Sequence, residues 1–186
     1  PEGAGLALAT TIAFAGEMEL LLGEPAAAAE YLERACSDWE QMGERGLRST
    51  FQARLAEAQY ELGRLDEAER NVRLAAELGA SDDAVTQMAW RQVEAKLLAR
   101  RGEHVEAERL AREVVELADR TQLLNEQAGW YADLAEVLAL AGKTDAAREA
   151  LEQALERYER KENLVSAEQV RARLAELRGP LLTLGS

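Results

Sequence analysis

With 186 residues and 47% hydrophobic content, the chain can bury a domain-sized core without a metal or a disulfide, which excludes a disordered segment. Alanine, leucine, glutamate and arginine dominate, while only three prolines and 5% aromatic residues are present, so the class is all-α and strands lack the residues they favour. A formal charge of −13, from 35 acidic and 22 basic residues, repels phosphate backbones and anionic headgroups and argues against nucleic acid or a membrane as partner.

The chain opens Pro-Glu-Gly-Ala-Gly-Leu, with neither an initiator methionine nor the basic-then-apolar pattern of a signal peptide, as expected of a piece of a longer polypeptide. Apolar periodicity predicts helices over 4–22 and 25–43, 47–62 and 65–79, 82–101 and 104–120, and 122–141 and 144–160. Pro25 suits a first helical turn, and Ser81 with Asp82 and Asp83, Thr121, Thr144 and Asn163 are candidate caps. No apolar run is read as long enough to span a membrane, since stretches such as Ala132 to Ala141 are short and carry Asp133 and Glu136. A ninth helix, over 163–178, places Leu164, Ala167, Val170, Leu174 and Leu177 opposite Glu168, Arg171, Arg173 and Glu176, as a capping helix requires. Gly179-Pro180 then stops it and leaves 179–186 as a loose tail.

The helices repeat in pairs. Gly23, Gly63, Gly102 and Gly142 are spaced by 40, 39 and 40 residues. Each is followed at plus five by Ala28, Ala68, Ala107 or Ala147, and preceded at minus seven by Gly16, Ala56, Ala95 or Ala135. Glycine ends a helix in the left-handed conformation, the next helix folds back, and only small side chains fit where the two converge. Phe51, Trp90 and Trp130 recur twelve residues before the glycine, with Thr11 at that place in the first pair, and their periodicity marks them as inter-helix core.

These residues, over about 10–160, resemble the tetratricopeptide repeat (TPR), although the aromatic falls one residue early and the pitch is about 40 residues instead of about 34. The resemblance implies a right-handed superhelical solenoid of four helix pairs, at about 4–43, 47–79, 82–120 and 122–160, closed by the 163–178 cap in one domain over 1–178. Together with the segment from Ala154 to Leu177, the long pitch is similar to the helical regions of large bacterial signal-transduction ATPases with cyclase or LuxR-type output domains.

In that family the first helix of each pair lines the concave side. The resemblance puts there Ala53, Glu57, Tyr60 and Glu61, then Gln92, Lys96, Ala99 and Arg100, then Ala132, Glu136, Ala139 and Leu140, with Arg54 and Asp133 one residue over. Of these, Arg54, Glu57, Tyr60, Gln92, Lys96, Arg100, Asp133 and Glu136 form the expected partner groove. The asparagine and several lysines with which chaperone-binding relatives hold a terminal carboxylate are missing. Lys96 and Arg100, one turn apart, form a basic step that would receive an acidic segment if their side chains are reachable, or be neutralised by Glu57 and Glu136 on adjacent helices.

Catalytic chemistry is not legible in the chain. His104 is the only histidine, so no metal site or histidine-based triad has a second imidazole, and its pairing with Glu108 four residues on is too small a ligand set. The single Cys36 lies in an alanine-rich helical pattern with only Arg34 near it in sequence, as a small buried residue in a reducing compartment would. Glycines fall at repeat turns and form neither a P-loop nor a dinucleotide fingerprint. The expectation is a cytoplasmic, cofactor-free and metal-free interaction or regulatory module that binds a protein or peptide, a second copy of the chain included. The alternative is a peptide or small-ligand sensor that controls an attached output domain.

Overall fold

The computed structural model describes residues 2–177. Among them are α1 (Glu2–Leu22), α2 (Pro25–Met42), α3 (Gly46–Glu61), α4 (Leu65–Leu78), α5 (Ala84–Arg100), α6 (His104–Ala118), α7 (Leu124–Leu140), α8 (Thr144–Arg160) and α9 (Leu164–Leu177), and no strand. The all-helical, paired architecture follows the glycine and alanine spacing. The stop at Gly179-Pro180 and the tail 179–186 lie outside the described residues.

The turn glycines adopt the left-handed conformation, with φ between 74° and 85° at Gly23, Gly63, Gly102 and Gly142. At Gly63 the backbone closes with Gly63 N–H donating to Tyr60 O and Arg64 N–H to Gln59 O, which satisfies two carbonyls at the end of α3. The same closure ends α8 without a glycine, because Glu162 takes φ 57° while Glu162 N–H donates to Glu159 O and Asn163 N–H to Tyr158 O. A residue with a Cβ is disfavoured there, so Glu162→Gly is expected to raise stability by about 0.5–1 kcal/mol in urea denaturation. An unchanged or lowered midpoint would show that the Glu162 side chain contributes more than its backbone costs.

Helix starts differ from expectation by up to two residues, for visible reasons. Asp83 caps α5, its Oδ1 accepting from Thr86 N–H at 3.2 Å, so the helix begins at Ala84 and not at 82. Asn163 caps α9 through Ser166 N–H at 3.2 Å. Thr121 accepts from Leu123 N–H within the preceding loop, and Thr144 stands inside α8, after Lys143. The segment Gly3–Leu22 of α1 is long and apolar enough to cross a membrane by length and composition alone, which corrects the expectation that no run reaches that length. Glu17 and Glu19 lie within that segment, and in the fold Ala9, Ile12, Ala13 and Gly16 of this helix are buried.

The helices form two compact units that divide within α5, one ending at Leu97 and the other starting at Leu98. In the first unit α1 packs on α2, α2 on α3 and α3 on α4. Trp39 and Leu32 of α2 are fully buried in a cluster with Ala9, Ile12 and Ala13 of α1 and Phe51, Leu55 and Ala58 of α3. A second cluster joins Ala56 and Tyr60 to Ala68 and Val72 of α4 and to Val93 and Leu97 of α5. The small positions are closed: Ala28, Ala56, Ala68 and Ala95 have no exposed surface. Between α3 and α4 runs a polar relay in which Gln52 Nε2 donates to Asn71 Oδ1 and Asn71 Nδ2 to Gln59 Oε1, both at 2.6 Å.

In the second unit α6 packs on α7, α7 on α8 and α8 on α9. Ala107, Ala135 and Ala147 are closed in the same way, and Trp130 is buried. Arg157 of α8 ties the loop after α6 to α7, with Nη2 3.0 Å from Asp119 Oδ1, Nε donating to Gln127 Oε1 at 3.1 Å, and its guanidinium 4.2 Å above the Tyr131 ring. The cap helix buries Ser166, Ala167, Val170 and Leu174, whereas Leu164, expected on that face, is exposed because it occupies the first residue of α9, ahead of the packed turns.

Candidate functional site

In the first unit the expected groove residues are largely engaged with one another. Arg54 of α3 sits 3.1 Å from Glu57 Oε2 through Nη1 and 3.4 Å from Glu17 Oε1 of α1 through Nε. Tyr60 is 2% exposed and Gln92 5% exposed, so both belong more to the packing than to a surface. Ala53 is likewise buried.

Lys96 departs most from expectation. It is 1% exposed, with Nζ 3.0 Å from Glu61 Oε1 and 4.6 Å from the centre of the Tyr60 ring. A buried ammonium is tolerated only with compensating partners, and the carboxylate with the aromatic face supplies them. Its side chain is therefore not reachable by a partner, and the neutralising acid is Glu61, one turn beyond the Glu57 anticipated from sequence.

In the second unit the groove residues border open space. Arg100 Nη2 lies 3.7 Å from Glu136 Oε1, and both side chains keep solvent access. Asp133 is half-buried, one helical turn before Glu136. Glu136 also lines a cleft of about 300 Å³ with Ala135, Ala139 and Leu140 of α7, Leu151 of α8, and Arg173, Glu176 and Leu177 of α9. Arg173 is anchored at the cleft wall, its Nη2 donating to Ala132 O at 3.2 Å.

Sequence reasoning missed the α9 residues of this site. The amphipathic pattern of that helix assigned Arg173 and Glu176 to the solvent face, although a polar flank beside a buried stripe is also where a neighbouring helix forms a cleft edge. The cleft has an apolar floor and a charged rim of Glu136, Arg173 and Glu176, which suits an apolar side chain carried on a polar backbone. Its volume is at the low end of ligand-binding cavities.

Catalytic equipment does not assemble among the described residues. Cys36 is buried in α2, and loss of hydration pushes its thiol up to about 12, so the thiolate that reactivity needs is not formed near neutrality. Glu108 faces Lys143 Nζ at 2.5 Å and Arg112 at 2.9 Å, which draw its carboxyl below the usual range, and no group of three or more metal-ligating side chains gathers among the described residues.

A family model described as tetratricopeptide repeat matches residues 128–164, covering most of α7 and all of α8. No curated protein matches the chain. Among solved structures, the chain is similar to the nearly identical TPR-like repeats of a candidate kinesin light chain from Podosopora anserina, at 18% identity and a TM-score of 0.54, over 96% of this chain and 98% of that one. A single-substitution variant of that protein aligns at 16% identity and a TM-score of 0.56, over 94% and 95% of the two chains. The chain thus carries a tetratricopeptide-like fold, with a recognisable repeat of that family at residues 128–164.

Proposed function

We propose that the chain is a non-catalytic protein-interaction and regulatory module of a larger bacterial signalling protein, and that it engages a partner polypeptide through the first helices of its pairs. The observation that carries this reading is the cleft in the second unit, where Glu136, Ala139 and Leu140, assigned to the partner-facing side from sequence, meet the apolar Leu151 and Leu177 and the charged Arg173 and Glu176. TPR-like folds serve as scaffolds for polypeptides, and a rigid helical surface with an apolar notch can hold one anchoring side chain while its rim charges set orientation. Arg100 beside Glu136 adds a basic contact at the same rim.

The test is a peptide-display selection against the chain, with affinities measured by calorimetry. Filling the notch with Ala139→Trp is expected to weaken the selected peptide by about tenfold or more, because its anchor loses a desolvated seat. Ala139 is exposed, so the variant keeps its fold. Failure to select any binder, or equal affinity in the variant, would remove the cleft from the proposal. The signalling context is tested separately by the full-length gene, where an adjoining ATPase and output module are expected. The small size of the cleft also favours the second reading, a sensor in which a peptide or small ligand held there shifts an attached output domain.

A further inference from the structure

The cleft in the second unit has a filled counterpart in the first. Counted from the turn glycines Gly63 and Gly142, Ala56, Tyr60 and Val72 stand where Ala135, Ala139 and Leu151 do. Counted from the helix caps Asp83 and Asn163, Lys96 and Leu97 stand where Glu176 and Leu177 do. The cleft lining of Ala135, Ala139, Leu151 and Leu177 therefore repeats the buried cluster of Ala56, Tyr60, Val72 and Leu97 position for position. One difference decides its shape: Tyr60 is 2% exposed, whereas Ala139 is exposed and has no ring to offer.

Among the described residues the first-unit cluster is completed within α3, α4 and α5, so the ring of Tyr60, and not a following helix, closes it. The cleft of about 300 Å³ is the space this ring leaves when its position carries alanine, and it has room for one aromatic side chain. The charges differ as well. In the first unit the Lys96 ammonium lies 4.6 Å from the centre of the Tyr60 ring and 3.0 Å from Glu61 Oε1. In the second unit the Lys96 position is Glu176, on the cleft rim, so ring and cation are both missing and a carboxylate stands in the cation's place. Glu136 faces Arg100, and Arg173 is held at Ala132 O, which leaves Glu176 as the rim charge that orients a ligand.

We infer that the cleft is a seat for an aromatic side chain of the partner polypeptide, tyrosine or phenylalanine, with a lysine or arginine next to it that pairs with Glu176. The inference rests on the partner-binding reading of the same cleft and names the anchor. The ring supplies what Ala139 lacks, and the adjacent cation supplies what Glu176 replaced. The −13 charge of the chain favours a basic segment in the same sense.

Ala139→Tyr rebuilds the first-unit cluster in the second unit and should raise the urea midpoint of the whole chain, since the new side chain fills an existing cavity. A lowered or unchanged midpoint would show that the cleft does not take a ring and would overturn the inference. Binding is read separately, by nuclear magnetic resonance of the isotope-labelled chain titrated with N-acetyl-tyrosyl-lysine amide. The amides of Ala139, Leu151 and Leu177 should shift in the wild type and not in Ala139→Tyr. The leucyl-lysine and tyrosyl-glutamate amides should bind about threefold or more weakly, and Glu176→Lys, at an exposed position, should reverse the preference between the lysyl and glutamyl forms. Equal binding of all the dipeptides would overturn the inference. A display-selected peptide that fills the cleft with an aliphatic anchor would overturn it and leave the proposed function standing, whereas a cleft that takes neither dipeptide nor selected peptide removes both. Cleft signals that respond only to deletion of residues 179–186, or only to protein concentration, would assign the seat to the chain's own end or to a second copy, and either result would overturn the inference.

Discussion

Trp39→Ala is expected to lower the stability of the first unit by about 3–5 kcal/mol, the largest loss from any single truncation in that unit. Trp39 has no exposed surface, its ring centre is 5.3 Å from that of Phe51, and it closes the cluster that joins α1, α2 and α3. Removing the indole opens a cavity at the meeting point of three helices, where Ala9, Ala13, Ala28, Ala29, Ala35 and Ala58 of the same cluster have no side-chain length with which to fill it. The indole Nε1 has no hydrogen-bond partner among the described residues, so Trp39→Phe sheds a buried polar group together with some volume and should cost less than about 1.5 kcal/mol. Urea denaturation followed by far-ultraviolet circular dichroism distinguishes the two variants. Near-equal losses would mean that a hydrogen bond, and not volume, carries the contribution of Trp39.

The helix pairs were legible because the repeat constrains the residues with least freedom. Gly63 and its counterparts must adopt positive φ, and Ala68 and Ala56 must be small, so the spacing survives in a sequence whose other positions vary. The fourth pair shows how far the pattern carries: Trp130, Ala135, Gly142 and Ala147 stand at the repeat offsets, and the tetratricopeptide model matches there. Glu162 was not legible as a left-handed turn residue, because only its hydrogen-bonded surroundings hold it in a conformation that its side chain disfavours.

The candidate site was less readable, since charge in a sequence says nothing of solvent access. Lys96 looked like a reachable cation, yet Glu61 and Tyr60 on α3 let it be buried, and neither is near it in sequence. The Gln52, Asn71 and Gln59 relay is equally long-range. Arg173 resembled a solvent-facing residue until the carbonyl of Ala132, 41 positions earlier, received its guanidinium. Local period identifies which face of a helix packs, but a cleft is made by the edges of three helices, and edges are set by crossing geometry that no single period encodes.

Gly16→Leu is expected to destabilise the pairing of α1 with α2 by about 3 kcal/mol, at the upper end of overpacking costs. A Cβ at Gly16 would lie 2.8 Å from Leu32 Cγ and 3.1 Å from both Ala28 O and Tyr31 Cβ. The carbonyl is fixed by the α2 backbone and Leu32 is fully buried, so neither can yield without separating the helices. Gly16 stands where the other pairs carry Ala56, Ala95 and Ala135, so the first pair lacks room for the Cβ that the others accommodate. Ala68→Leu, at the alanine position after the turn in the second pair, should cost about 1–3 kcal/mol by the same physics, as that site already accommodates a Cβ. Gly16→Ala separates steric cost from propensity: alanine favours the helix by about 1 kcal/mol, so a net loss in this variant would show that the contact with Leu32 and Ala28 outweighs it. If Gly16→Leu unfolds at the wild-type urea midpoint, α1 and α2 do not converge at Gly16, and the small residue seven before the turn glycine is not a packing requirement in this pair.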